Sequence, residues 1–231
     1  MKTIGVLGGM SWESSLEWYR LANERVREQL GGHHSAKIVL DSVDFAEVED
    51  LQARGEWGLA GQLLAERARA LESAGAELLV LCTNTMHLVA EQIQDAVDIP
   101  FLHIADVAGE AVASAGLTTV GLLGTAFTME QPFYADRLAT HGIRTLVPDE
   151  DDRRVVHSVI YDELVHGVIK DESRRRFAEA IERLVARGAE GVILGCTEVE
   201  LLVSAADSPV PIFPTTALHV DAALRRAFAA D

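Results

Sequence analysis

Two kinds of apolar pattern alternate along the chain. Short, nearly continuous apolar runs occupy residues 3–9, 36–43, 77–82, 101–105, 118–125, 143–147, 191–196 and 211–214. Runs of this length, rich in Val, Ile and Leu and bounded by Gly or Pro, predict buried strands. Between them lie longer stretches with apolar positions every three or four residues. They cover 12–30, 58–75, a segment from about 86, one ending near 115, 129–142, two segments across roughly 150–187, and the C-terminal end. These predict amphipathic helices, the first capped by Ser11 and the second closed by Gly75. Strand–helix alternation implies an α/β fold with parallel strands and helices on both faces.

The pattern repeats. Residues 3–9 (TIGVLGG) match 119–125 (TVGLLGT), and residues 75–81 (GAELLVL) match 188–194 (GAEGVIL). The offsets, 119 − 3 = 116 and 188 − 75 = 113, agree to within three residues. A duplicated unit predicts two pseudo-symmetric lobes, each a parallel sheet flanked by helices. We place residues 1–98 plus 210–231 in the N-terminal lobe and 99–209 in the C-terminal lobe. Ligands of parallel sheets bind at the carboxyl ends of the strands, so the active site is expected in the cleft between the lobes.

Charge narrows the partners. Lys and Arg number 20 and Asp and Glu 36, a net −16, which argues against nucleic acid and anionic membranes because both need a basic footprint. No run reaches the ~18–20 apolar residues of a membrane span. The opening MKTIGVLGGMSWES lacks the h-region and cleavage site of a secretory signal, so a cytoplasmic protein is expected. The two cysteines, Cys82 and Cys196, are too few for a disulfide scaffold and do not have zinc-ligand spacing. Gly8-Gly9-Met10-Ser11 reads equally as a tight strand-to-helix turn or an anion-binding nest; it lacks the spacing of a nucleotide-binding loop. Thr125 and Thr128 are its repeat partners, and line the site or cap the next helix.

The remaining chemistry sits at two equivalent strand ends, LCTNTMH (81–87) and LGCTEVELL (194–202). Extending the second match without a gap pairs Cys82 with Gly195, Thr83 with Cys196, Asn84 with Thr197 and Thr85 with Glu198. Thr83, rather than Cys82, then holds the place of Cys196; a one-residue gap at the turn would exchange the two. Neighbours in a strand point to opposite faces, so Cys82 is read as a buried structural thiol and only secondarily as a base. Proton-active groups on two lobes suit inversion at an α-carbon, which needs a base on one face and an acid on the other. Asn84, Thr85 and Thr197 supply donors for a carboxylate, and Glu198 and His87 could orient or relay protons.

At these residues the sequence resembles the Asp/Glu racemase family, the amino-acid racemases that work without pyridoxal phosphate. The resemblance rests on LGGMSWES, VLCTNTMH and LGCTEVELL in this order and covers essentially the whole chain. With RGEW (54–57), it points to the broad-specificity or L-Asp/Glu-specific subgroup. It implies two α/β lobes, a homodimer, a small amino-acid substrate, no cofactor, and two catalytic cysteines. Cys196-Thr197-Glu198 matches the second family motif. The first motif has Thr83 where the family has cysteine, with Cys82 one residue early, which puts symmetric racemisation in doubt. The catalytic candidates are therefore Cys196 and Thr83, with Cys82 the alternative to Thr83. Met10, Ser11, Gln52, Asn84, Thr85, Thr125, Thr197 and Glu198 are the substrate-binding candidates. Arg54, His166 and Lys170 are further candidates for a distal carboxylate. The alternatives are another α-carbon proton-transfer enzyme, such as a hydantoin racemase or a maleate isomerase-like relative, and a small-ligand binding protein.

Overall fold

The computed structural model describes residues 1–229. The chain divides into two compact units, one of residues up to 103 together with those from 219 on, the other of residues 104–218. The first unit holds β1 (Ile4–Gly8), α1 (Trp12–Leu30), β2 (Ile38–Ser42), α2 (Phe45–Ala53), α3 (Trp57–Ser73), β3 (Leu78–Leu81), a 3-10 turn (Thr85–Val89), α4 (Ala90–Gln94) and β4 (Phe101–Leu102). Then come α5 (Ile104–Ser114), β5 (Thr119–Gly124), α6 (Ala126–Glu130), α7 (Pro132–Ala139), β6 (Arg144–Leu146), α8 (Glu150–Asp162), α9 (Asp171–Ala186), β7 (Gly191–Gly195), α10 (Thr197–Leu202), β8 (Ile212–Pro214) and α11 (Thr215–Phe228). The sheets have orders β2-β1-β3-β4 and β6-β5-β7-β8, parallel throughout.

The sequence repeat is reproduced in the ladders. Ile4 pairs with Leu78 in the first sheet and Val120 with Gly191 in the second, which are the same positions once the offsets are applied (4 + 116 = 120, 78 + 113 = 191). Glu77 and Glu190 do the same work. Glu77 accepts the Thr3 N–H at 2.7 Å, and Glu190 accepts those of Thr118 and Thr119 at 2.8 and 2.9 Å. Each carboxylate satisfies orphan donors at the entry of a central strand, and these bonds hold Glu190 below the usual carboxylate range.

Strand pairing also settles which strand completes which sheet. β4 pairs with β3 and β8 with β7. The chain therefore changes unit after 103 and after 218, beyond the junctions read from sequence at 98/99 and 209/210. The helix after each fourth strand is then shared out: α5 packs Ile104, Ala105, Ala108 and Val112 into the second unit's core, whereas most of α11 belongs to the first.

Local signals explain most element ends. Ser11 caps α1 by accepting the Ser14 N–H at 3.4 Å, and Thr125 caps α6 by accepting the Thr128 N–H at 3.3 Å. The single helix expected over 129–142 is two, because Pro132 disfavours helical backbone at Gln131, which is extended. On α1, Trp18, Ala22 and Val26 recur every fourth residue and are buried, while Trp12 and Tyr19 on another face are 63% and 47% exposed. Among the described residues no helix is long and apolar enough to cross a membrane.

Candidate active site

In the first unit the backbone leaves β3 still in the ladder. The Cys82 N–H donates to the Leu7 carbonyl at 2.9 Å. In the second, the ladder runs one residue further, Gly124 opposite Gly195. Because Leu7 pairs with Leu81 and Leu123 with Leu194, no gap intervenes up to Cys82 and Gly195. Thr83 and Cys196 are the residues that follow, Cys196 as the extended N-cap of a helix from Thr197 and Thr83 ahead of a 3-10 turn from Thr85.

The two positions have different surroundings. Cys82 is 4% exposed, and burial pushes its thiol far up, with no charged group against it. Thr83 beside it is half-buried. Its carbonyl accepts the His87 Nδ1–H at 2.7 Å, which fixes the His87 tautomer and ties the 3-10 turn back to the strand end. The His87 ring packs edge-on to His103 at 4.5 Å and lies 6.3 Å from His219. Burial drives His219 down to about 4, so the neutral ring donates from Nε2 to the Leu102 carbonyl at 2.9 Å. Asn84 and Thr85 are buried beside this knot.

Cys196 is buried and extended at the N-cap of α10, and its thiol lies 2.9 Å from Glu198 Oε2 as donor. Burial raises the thiol well above its ordinary range, and the Glu198 charge adds to this; the backbone N–H groups of Glu198 and Val199 act in the opposite direction. The resting group is thus a protonated thiol hydrogen-bonded to Glu198. Thr197 Oγ1 is 2.9 Å from Thr216 Oγ1 at the start of α11.

The other candidates scatter. Met10 is buried in the first unit's core with Val48, Leu64 and Met86. Gln52, 4% exposed, donates from Nε2 to the Met86 sulfur at 2.9 Å, and its buried Oε1 has no partner among the described residues. Ser11 and Thr125 act as caps, each with a second hydroxyl beside it, Ser14 at 3.4 Å and Thr128 at 3.2 Å. Two of the cations proposed for a distal carboxylate are already held: Arg54 by Asp50 at 2.8 Å and Glu56 at 3.4 Å, and Lys170 by Glu163 at 3.0 Å. His166 is the exposed last residue of a 3-10 turn. Three polar residues were missed in the sequence: Glu200, Thr216 and His219. The spacing of Cys196-Thr197-Glu198-Val199-Glu200 was the available signal for Glu200, one helical turn after the cysteine. Among the described residues no group of three His, Cys, Asp or Glu side chains could hold a metal ion.

Two four-stranded parallel sheets flanked by helices, repeated along one chain, define the class: a duplicated α/β protein with the fold of the racemases. Residues 7–223 match the Asp/Glu/hydantoin racemase family, and the chain belongs to it. A candidate Asp/Glu racemase from Yersinia pestis is 51% identical, with a TM-score of 0.93, over 99% of this chain and 100% of that one. An aspartate racemase homologue from Pyrococcus horikoshii is 33% identical, with a TM-score of 0.88, over 99% of this chain and 100% of that one. The broad-specificity amino-acid racemase RacX of Bacillus subtilis is 24% identical across 154 residues, 64% of this chain and 63% of RacX.

Proposed function

We propose that this protein is an amino-acid racemase that moves the α-proton without pyridoxal phosphate. The observation that carries the reading is the Cys196–Glu198 contact, a buried thiol hydrogen-bonded at 2.9 Å to a carboxylate at a strand end. In this reading Glu198 takes the thiol proton, the thiolate removes the substrate α-proton, and the N–H groups of Glu198 and Val199 stabilise the sulfur charge. Thr197, with Asn84 and Thr85, holds the α-carboxylate. The other unit contributes Thr83 at the matching position, with Cys82 the alternative. A threonine hydroxyl is a far weaker acid and base than a thiol, so the two directions of proton transfer are unequal. Aspartate and glutamate, the substrates in the names of the relatives, lead the panel of substrates. A homodimer belongs to the same reading.

The test is α-proton exchange in D2O, followed by proton NMR, with purified protein and no added pyridoxal phosphate, on each enantiomer of Asp, Glu and a neutral panel. Loss of the α-proton signal supports the proposal; its persistence for every amino acid overturns it. Thr83 favours one alternative reading, a protein that binds an amino acid without turning it over. Cys196→Ser separates the two, since an enzyme loses exchange and a binder keeps its affinity.

A further inference from the structure

In the second unit two strands leave the sheet side by side. Gly124 of β5 lies opposite Gly195 of β7, so Thr125 and Cys196 are the next residues out of neighbouring strands. The strands are close here: a Cβ on Gly124 would come 2.9 Å from the Gly195 carbonyl oxygen. The turn from β5 into α6, Thr125 and Ala126, therefore starts beside Cys196.

The proposed chemistry leaves a histidine at this turn unused. His157, half-buried on α8, accepts the Ala126 N–H at Nδ1, 3.2 Å away. A backbone amide can only donate, so Nδ1 carries a lone pair and the neutral ring keeps its hydrogen on Nε2. This is the opposite tautomer to that of His87, whose Nδ1–H donates to a carbonyl. The His157 ring sits edge-on to Phe127 at 6.3 Å and against Tyr161, one turn further along α8, at 4.6 Å. Ala126 opens α6, and its amide is one of the donors that a helix start leaves without an intrahelical partner. Thr125 takes the Thr128 amide and His157 takes that of Ala126. We infer that His157 is a positioning residue: its neutral ring fixes the β5–α6 turn beside Cys196 through the Ala126 amide, and a proton on Nδ1 releases that turn. The catalytic consequence rests on the reading that Cys196 moves the α-proton.

The surroundings favour the holding state at neutral pH. Burial disfavours the charged ring and outweighs the pull of Glu130 and Asp162, so His157 titrates below its ordinary value. Glu130, from α6, is held by Arg153 at 2.9 Å, and Asp162, on α8, accepts from the Ser158 hydroxyl at 2.6 Å. β5 carries no charged side chain. The bond is thus complete above about pH 6.5, the ordinary histidine midpoint, and is lost as pH falls through the lower folded-state one.

Two measurements test this. The first is the long-range 1H–15N spectrum of the histidine rings, assigned with His157→Gln and read together with the Ala126 amide shift across pH 4.5–8. The expected result is an Nε2–H tautomer for His157 at pH 8 and an Ala126 amide that titrates with the His157 midpoint. An Nδ1–H tautomer, or an Ala126 amide indifferent to that midpoint, overturns the inference. The second is kcat/KM for L-aspartate exchange. His157→Phe keeps a ring but offers no acceptor, and should lower it roughly threefold to tenfold at pH 8, the worth of one neutral hydrogen bond. His157→Gln offers an amide oxygen that does not titrate. It should keep most of the pH 8 rate and remove from the acid limb the step that follows the His157 midpoint. A His157→Phe rate equal to wild type, or an acid limb unchanged in His157→Gln, overturns it. If no amino acid exchanges but the Ala126 amide follows His157, the tether stands and the racemase reading alone falls.

Discussion

The two strand ends, Cys82-Thr83-Asn84-Thr85 and Gly195-Cys196-Thr197-Glu198, follow strands in the same register and differ in chemistry and in the turn that follows, a 3-10 turn from Thr85 against a helix from Thr197. The ladders bring the two strands into the same register at Leu81 and Leu194, yet only the second strand end places a thiol next to a carboxylate. In the first, the thiol is one position early and buried with no charged partner, and a hydroxyl takes its place. Duplication preserved geometry more strictly than side chains. The carboxylate at each central-strand entry and the hydroxyl pair at each first helix survive in both units, because those groups satisfy backbone donors that would otherwise be orphaned. Groups with a chemical role were free to diverge.

Cys196→Ser should break the comparison most. If the acid–base work lies in the second unit, exchange falls by roughly 10²–10⁴-fold, the usual share of a positioned acid–base group, while calorimetric binding of L-aspartate persists. Gly195→Ala is next. An added Cβ would come 3.0 Å from Leu122 Cδ1 and 3.2 Å from the Leu123 carbonyl, so urea unfolding should show a loss of roughly 1–3 kcal/mol. The equivalent Cys82 already holds a side chain there. Cys82→Ala should therefore cost only about 1 kcal/mol of stability and leave exchange unchanged; a drop above a hundredfold would move the first unit's acid–base role to Cys82.

pH gives a smaller separation. The folded-state midpoint of Glu200, about 8, lies above its ordinary 4.5, so folding takes up a proton between these values. Its stabilising contribution is complete below about 4.5 and lost by about 8, at no more than about 1.4 kcal/mol per pH unit and less for partial exposure. Glu200→Gln should remove that slope from denaturation midpoints measured across pH 5–8. Smallest is the cap pair. Ser11→Ala and Thr125→Ala should each cost about 1 kcal/mol, equally if the two caps are truly equivalent.

Much of the fold was legible in the sequence. The runs at 3–9 and 119–125 became central strands because continuous apolar residues suit a strand buried on both faces. Ser11 capped α1 where expected. The helix over 45–53 was missed, although Asp44 followed by Glu47 is a helix-start pattern, because nine residues give its apolar period little length in which to show. At the candidate site, the common register of the two strands, Leu81 with Leu194, was readable from the repeat alone. The Glu200–Thr216–Thr197 contacts were not, because they join positions 15 to 19 residues apart through side chains whose meeting depends on how β8 returns beside β7. Of Arg54 and Lys170 the sequence shows that they are basic; the structure adds the ion pairs each makes, with Asp50 and Glu163.

The central claim is that Cys196 is the competent acid–base group and Thr83 the weak one. The most direct measurement is the ratio of inversion to α-proton exchange for each aspartate enantiomer in D2O, in wild type and in Thr83→Cys. The account predicts fast exchange with slow inversion from one enantiomer in wild type, and inversion raised at least tenfold in Thr83→Cys. Equal inversion from both enantiomers in wild type, unchanged by Thr83→Cys, would contradict it.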